Sequence, residues 1–203
     1  SLDIGGVAGA GSNIFCCNSY ATIYRSTNGG TSWSEIQDFF WRFTPDRFYT
    51  QSAIAHNGTR LVIAGWSDGG PVAVYSDDNG VTFSNSTFSH APNLTPYELK
   101  WCGGNRWIVS CNGSDAGIRY VFASTDNAAT FNKITFPEDI SAGQRNGQIA
   151  VDAITGRVVV AGLNGSGQSR IYSSDDLVAW TAVDLSDTAT RQMWELYPPE
   201  VAP

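Results

Sequence analysis

Charge is scarce in this chain. Asp, Glu, Lys and Arg together make up 15% of its 203 residues. The 12 Lys and Arg are scattered and form no basic cluster. That speaks against nucleic-acid binding, which needs concentrated positive charge to neutralise phosphates. The formal net charge of −7 serves solubility instead. Histidine is almost missing, with only His56 and His90, which leaves little material for a His-based metal site or a Ser-His-Asp triad. His56 reads as a solvated turn residue. There is no Cys-x-x-Cys, no P-loop and no dinucleotide fingerprint. Acidic turns such as Ser76-Asp77-Asp78-Asn79-Gly80 lack the ordered oxygen ligands of a calcium loop. No metal and no cofactor is therefore expected. Long apolar runs are absent, so no membrane-spanning helix and no membrane insertion are expected. Ser1-Leu2-Asp3-Ile4 has neither a basic start nor an apolar core, so no signal peptide is expected.

What is present points to short strands and tight turns. Glycine is frequent (21) and aromatics reach 12%, a composition that suits strands joined by turns rather than long surface helices. Cys16, Cys17, Cys102 and Cys111 read as reduced and mostly buried. Adjacent Cys16 and Cys17 point to opposite faces of a strand, and free cysteine often serves as a small core residue. Five Asn-x-Ser/Thr sequons occur, at Asn57, Asn85, Asn93, Asn112 and Asn164. A glycosylated, secreted protein is thus an open alternative.

One phrase occurs four times. Its copies are Ser26-Thr27-Asn28-Gly29-Gly30-Thr31-Ser32-Trp33, Ser76-Asp77-Asp78-Asn79-Gly80-Val81-Thr82-Phe83, Ser124-Thr125-Asp126-Asn127-Ala128-Ala129-Thr130-Phe131 and Ser173-Ser174-Asp175-Asp176-Leu177-Val178-Ala179-Trp180. The leading serines recur about every 49 residues, a period that marks a repeat architecture. Each unit reads as four short strands. In the second, residues 51–55 form a strand and Asn57-Gly58 centres a turn. Residues 60–65 form an apolar second strand, 72–75 a third, and Phe83 opens a fourth after the phrase. The second strands of the four units, at 14–17, 61–64, 107–110 and 158–161, are apolar throughout, as suits strands buried on both faces. The expected fold is all-β, a β-propeller-like array of four four-stranded blades at about residues 4–36, 51–86, 97–134 and 147–184, with a tail at 185–203.

The phrase resembles the Asp-box, or bacterial neuraminidase repeat, Ser-x-Asp-x-Gly-x-Thr-Trp/Phe. The second copy matches at Ser76, Asp78, Gly80, Thr82 and Phe83. The first has Asn28 for Asp and Ser32 for Thr, with Ser26, Gly30 and Trp33 kept. The third keeps Ser124, Asp126 and Phe131 but has Ala128 for Gly. The fourth keeps Ser173, Asp175 and Trp180 but has Leu177 and Ala179. The side chains suit a structural turn: the carboxylate or amide accepts backbone N–H groups, and glycine supplies a positive φ. The resemblance implies a hairpin turn between the third and fourth strands of each blade. In that family this turn lies away from the active site.

The long connections between blades are the candidates for function. Residues 37–50 carry Phe39, Phe40, Trp41, Arg42, Phe43, Arg47, Phe48 and Tyr49, a set suited to a protein interface or sugar stacking. Trp66 and the tail residue Trp194 join Phe40, Trp41, Arg42, Arg47 and Tyr49 as candidate interface or ligand residues. Asp-box propellers include sialidases, whose chemistry needs an arginine triad, a tyrosine nucleophile and an acid/base aspartate. Arg42, Arg106 and Arg145 are the nominal triad here. However, the Phe/Tyr-Arg-Ile-Pro phrase of that family is missing, and Trp41-Arg42-Phe43-Thr44-Pro45 only faintly echoes it. The favoured reading is non-enzymatic. The degenerate boxes resemble those of Asp-box proteins in bacteriophage particles, which implies a structural or adhesive virion part assembled in a host cytoplasm. Its partners would be other virion or assembly proteins or copies of itself. A lectin binding cell-surface glycan is the alternative, and a sialidase-like hydrolase the third reading.

Overall fold

The computed structural model describes residues 4–18, 22–38, 49–67, 70–89, 94–113, 119–137, 148–163 and 168–184. These form sixteen strands in four antiparallel groups. The first blade holds β1 (Ile4–Ala10), β2 (Asn13–Asn18), β3 (Thr22–Ser26) and β4 (Ser34–Asp38). The second holds β5 (Tyr49–His56), β6 (Leu61–Ser67), β7 (Gly70–Ser76) and β8 (Ser84–Phe88). The third holds β9 (Leu94–Trp101), β10 (Trp107–Gly113), β11 (Arg119–Ser124) and β12 (Thr130–Lys133). The fourth holds β13 (Ile149–Val151), β14 (Val158–Leu163), β15 (Ser169–Ser174) and β16 (Thr181–Asp184). In each group the strands pair in chain order. The fold is an all-β propeller array.

The second strand of each blade is central and flanked on both edges, and in blades two and three it is covered on both faces as well. Leu61, Val62, Ile63 and Ala64 are therefore buried in a row, as are Trp107, Ile108 and Val109. Alternation along the strand sends neighbours to opposite faces, and the core divides accordingly into three clusters. Between blades one and two, Phe15, Cys17 and Ile23 meet Leu61, Ile63 and Val74. Between blades two and three, Val62, Ala64 and Ala73 meet Trp107, Val109 and Phe122. Between blades three and four, Ile108, Val121 and Ala123 meet Val158, Val160 and Tyr172. Full burial of each such apolar side chain is worth about 1.5–3 kcal/mol, so packing between blades is the main stabilising term.

One feature lies outside the sequence pattern. The fourth strands of blades two and three pair in parallel, with Thr130 opposite Thr87 and Phe131 opposite Phe88. The two blades thus share one eight-stranded sheet. Phe88 stacks on Phe131, with ring centroids 5.1 Å apart, which holds the two edges together.

All four cysteines are buried and unbridged. Burial pushes the Cys102 thiol up to about 12. His56 is not a solvated turn residue. It ends β5, its Nδ1 accepts the Gly58 amide at 3.0 Å, and its ring stacks on Phe15. The neighbouring blade covers what the local sequence presents as an exposed turn.

Candidate functional site

The four turns that follow the third strands are built by the same few hydrogen bonds. Ser26, Ser76 and Ser124 each accept, at 2.8 Å, the amide four residues on: Gly30, Gly80 and Ala128. Each serine also donates to the side chain two residues on: Asn28 at 2.9 Å, Asp78 at 2.8 Å and Asp126 at 2.7 Å. Those side chains in turn accept the amides of Ser32, Thr82 and Thr130. The Thr82 hydroxyl adds a 2.6 Å bond to Asp78 Oδ2. That hydroxyl first, then the Thr82 amide and the Ser76 hydroxyl, hold the Asp78 carboxyl down at about 2. Two successive residues take positive φ in each turn: Gly29 and Gly30, Asn79 and Gly80, Asn127 and Ala128. Asn adopts that region readily, whereas Ala128 at φ 65° is strained.

The fourth turn corrects the sequence register. Ser173 and Asp175 do not hold it; Ser174 and Asp176 do. Ser174 Oγ donates to Asp176 Oδ1 at 3.1 Å and accepts the Leu177 amide at 2.8 Å. Asp176 Oδ1 accepts the Val178 and Ala179 amides, both at 2.8 Å. This turn is one residue shorter than the others between its serine and its aromatic, and only Leu177 takes a positive φ, 68°. Ser173 instead faces Thr181 across the hairpin, and Asp175 forms an ion pair with Arg157 at 2.8 Å. Aligning the copies on Trp180 hides the missing residue, because Ser173-Ser174-Asp175-Asp176 fits either register.

The aromatic that ends each turn faces the preceding blade. Phe83 packs on the cluster between blades one and two. Phe131 is fully buried between blades two and three, and Trp180 lies between blades three and four at 8% exposure. No blade among the described residues packs against Trp33, which is 42% exposed, its Nε1 donating to Gly30 O at 3.1 Å.

Arginines reach the other way. Arg25 Nη1 donates to Asn79 O, in the next blade's turn, at 2.7 Å. Arg60 binds Asp77 in its own blade, donates to Asn127 O of the next blade and lies over the Tyr75 ring. Arg106 donates to Cys102 O and to Asp175 O of the next blade. The sequence reading missed this role, although a signal was there: Arg60, Arg106 and Arg157 each stand immediately before a second strand.

Of the interface candidates, Phe40, Trp41, Arg42, Arg47 and Trp194 lie outside the described residues. Tyr49 opens β5 opposite Trp66, which is partly buried in β6. Of the nominal arginine triad, Arg42 and Arg145 lie outside the described residues. Arg106 sits at the end of the blades that carries the turns. Between blades three and four, at that same end, a cleft of about 540 Å³ is lined by Trp101, Asn105, Arg106, Asp152, Ile154 and Gly156. Trp101 is 40% exposed there. Asp152 is engaged by the amides of Ile154 and Thr155, which lower its pKa. Among the described residues no group of three His, Cys, Asp or Glu is placed to hold a metal.

No protein-family model and no curated protein matches this sequence. Solved structures do resemble it. YCF48 bound to D1 peptide superposes on 92% of the chain at 14% identity and a TM-score of 0.57, with 55% of that protein covered. A GH74 xyloglucanase from Xanthomonas campestris matches 85% of the chain at 16% identity and a TM-score of 0.61, with 28% of it covered. A protein of unknown function from Dyadobacter fermentans matches 91% at 14% identity and a TM-score of 0.52, with 56% covered. At these identities the likeness is one of fold. The chain spans 55% or less of the length of the first two.

Proposed function

We propose that this chain is a non-enzymatic structural and adhesive module of a larger assembly, of the kind carried on bacteriophage particles as a tail, fibre or capsid-associated part. Its partners are other assembly proteins or copies of itself, and its place is the virion, assembled in the host cytoplasm. One observation carries this reading: the polar residues that recur from blade to blade are engaged in holding the blades. The serines and Asp or Asn side chains close their own turns. Arg25, Arg60 and Arg106 tie the second, third and fourth turns to the blade before each. Arg106, the described member of the nominal triad, donates to backbone carbonyls beside the turns. That is the end which, in the family the boxes resemble, faces away from the active site.

Mass spectrometry of purified particles from cells carrying the gene tests the reading. The chain is expected at a fixed copy number per particle, and absence from particles would reject the role. A fluorogenic sialoside should show no turnover above background. Turnover abolished by substituting Arg42, Arg106 or Arg145 would replace the proposal with the hydrolase reading.

A lectin is the second reading, favoured by the exposed Trp101 over the cleft between blades three and four. An aromatic face beside polar groups is the usual platform for a sugar ring. Glycan-array binding lost in Trp101→Ala would support it.

A further inference from the structure

Each blade has two unlike faces, and every inner interface joins the same two. Toward the following blade, blades one to three present Phe15 and Ile23, Val62 and Ala73, and Ile108 and Val121, all buried. Toward the preceding blade, blades two to four present Val74 and Phe83, Phe122 and Phe131, and Tyr172 and Trp180, packed into the same three clusters. The register of the strands fixes this division, because residues paired across strands share a face. Among the described residues, the two ends of the array keep one face of each kind without a blade against it.

Blade one ends in a face of the second kind. Ile14 and Tyr24 are partly exposed on it, and Val7 and Trp33 are 62% and 42% exposed. Blade four ends in a face of the first kind. Val159 and Ile171 hold the positions of Ile108 and Val121 but are only partly buried. Val183, paired with Ile171, is 52% exposed. Arg157 completes the correspondence. It stands where Arg60 and Arg106 stand and holds Asp175 in its own blade, as Arg60 holds Asp77. Among the described residues it reaches no turn of a further blade. In blade one the carbonyl equivalent to those of Asn79 and Asn127 belongs to Gly29, and neither Arg25, Arg60, Arg106 nor Arg157 donates to it. First strands pack in succession, β1 on β5 and β5 on β9, with β9 touching β13. No comparable packing joins β13 to β1 among the described residues.

We propose that the free face of blade four docks on the free face of blade one of a second copy of this chain, head to tail. Arg157 then donates to the turn around Gly29. Trp33 covers Val159 and Ile171, as Trp180 covers Ile108 and Val121 within the chain. The contact joins the same two kinds of face that meet three times within the chain. A contact between unlike faces closes into a ring or continues as a filament. This inference names one partner for the structural module proposed above and rests on that reading for its purpose only. Sialoside turnover would overturn that reading without touching the association, and a monomer would overturn this inference alone.

Sedimentation velocity over a tenfold concentration range tests it, with near-UV circular dichroism as the check on folding. The wild-type chain should run at no less than twice its 21.9 kDa. Trp33→Glu at one end and Val183→Asp at the other should each run as monomers. Mixed together, they should pair one to one, because each keeps the face that the other has lost. Both side chains are exposed, so the fold should tolerate the changes. If either variant unfolds, Trp33→Ala and Arg157→Ala replace them, with association weakened at least tenfold. A monomeric wild-type chain, association unmoved by both substitutions, or failure of the two blocked variants to pair would each overturn the proposal.

Discussion

The second and fourth turns do the same job with different residues. The second keeps the whole repeated phrase, with Gly80 at φ 83° and a Ser76–Asp78 pair closing the loop. The fourth is one residue shorter and puts Leu177, buried to 4% exposure, at φ 68°. An L residue in the left-handed region costs about 1–2 kcal/mol. Leu177 offsets that cost by packing between blades three and four. Both turns keep the serine that accepts an inner amide and the acid that accepts outer ones. The comparison teaches that the serine and the Asp or Asn two residues on define this turn. Glycine is one of two ways to meet its backbone demand, and burial of a large side chain is the other.

The largest expected break comes from Leu177→Gly. It relieves the backbone but empties part of the cluster between blades three and four. A loss of about 2 kcal/mol is expected from the balance of cavity cost and strain relief, measured by urea unfolding at fixed protein concentration. Next comes Ser76→Ala, which leaves the buried amide of Gly80 without its acceptor. It should cost about 1–3 kcal/mol. Gly80→Ala should cost about 1–2 kcal/mol, because the φ is positive and the new methyl meets Ile36 Cδ1. Ala128→Gly, at the equivalent place in the third turn, sharpens the contrast. Relief of strain at φ 65° opposes the loss of a buried methyl worth about 0.8 kcal/mol. The net change should stay within about 1 kcal/mol.

Acid separates the first turn from the second. The Asp78 carboxyl sits at about 2, below its ordinary value of 3.8. Its depressed value gives stability that is fully present above about pH 4 and is lost as the pH falls toward 2. The first turn carries Asn28 in that place and does not titrate. Asp78→Asn should therefore lower the melting temperature at neutral pH, and its deficit against wild type should shrink as the pH falls from about 4 to 2, which flattens the acid limb. An unchanged acid limb would mean that other carboxylates set it.

The sequence carried the array because strand alternation and the turn phrase recur together, and both are local. Burial of Leu61 to Ala64 and of Trp107 to Val109 follows from apolar runs alone. The register of the fourth turn was not legible. A doublet of serines followed by a doublet of aspartates fits two alignments, and only the hydrogen bonds choose between them. The pairing of β8 with β12 was equally hidden, since Ser84-Asn85-Ser86-Thr87-Phe88 has nothing in its pattern that selects a neighbour in another blade. The arginine contacts depend on how blades stack, which a turn-by-turn reading does not see. Most of the aromatic connection at residues 37–50 lies outside the described residues.

The claim that a serine and its Asp or Asn partner define each turn meets its most direct test in the pair Ser174→Ala and Ser173→Ala, compared by urea unfolding. Ser174 accepts the buried Leu177 amide, so its loss should cost about 1–3 kcal/mol. Ser173 makes only an exposed bond to Thr181, so its loss should stay within about 0.5 kcal/mol. Equal effects, or a larger loss at Ser173, would contradict the account.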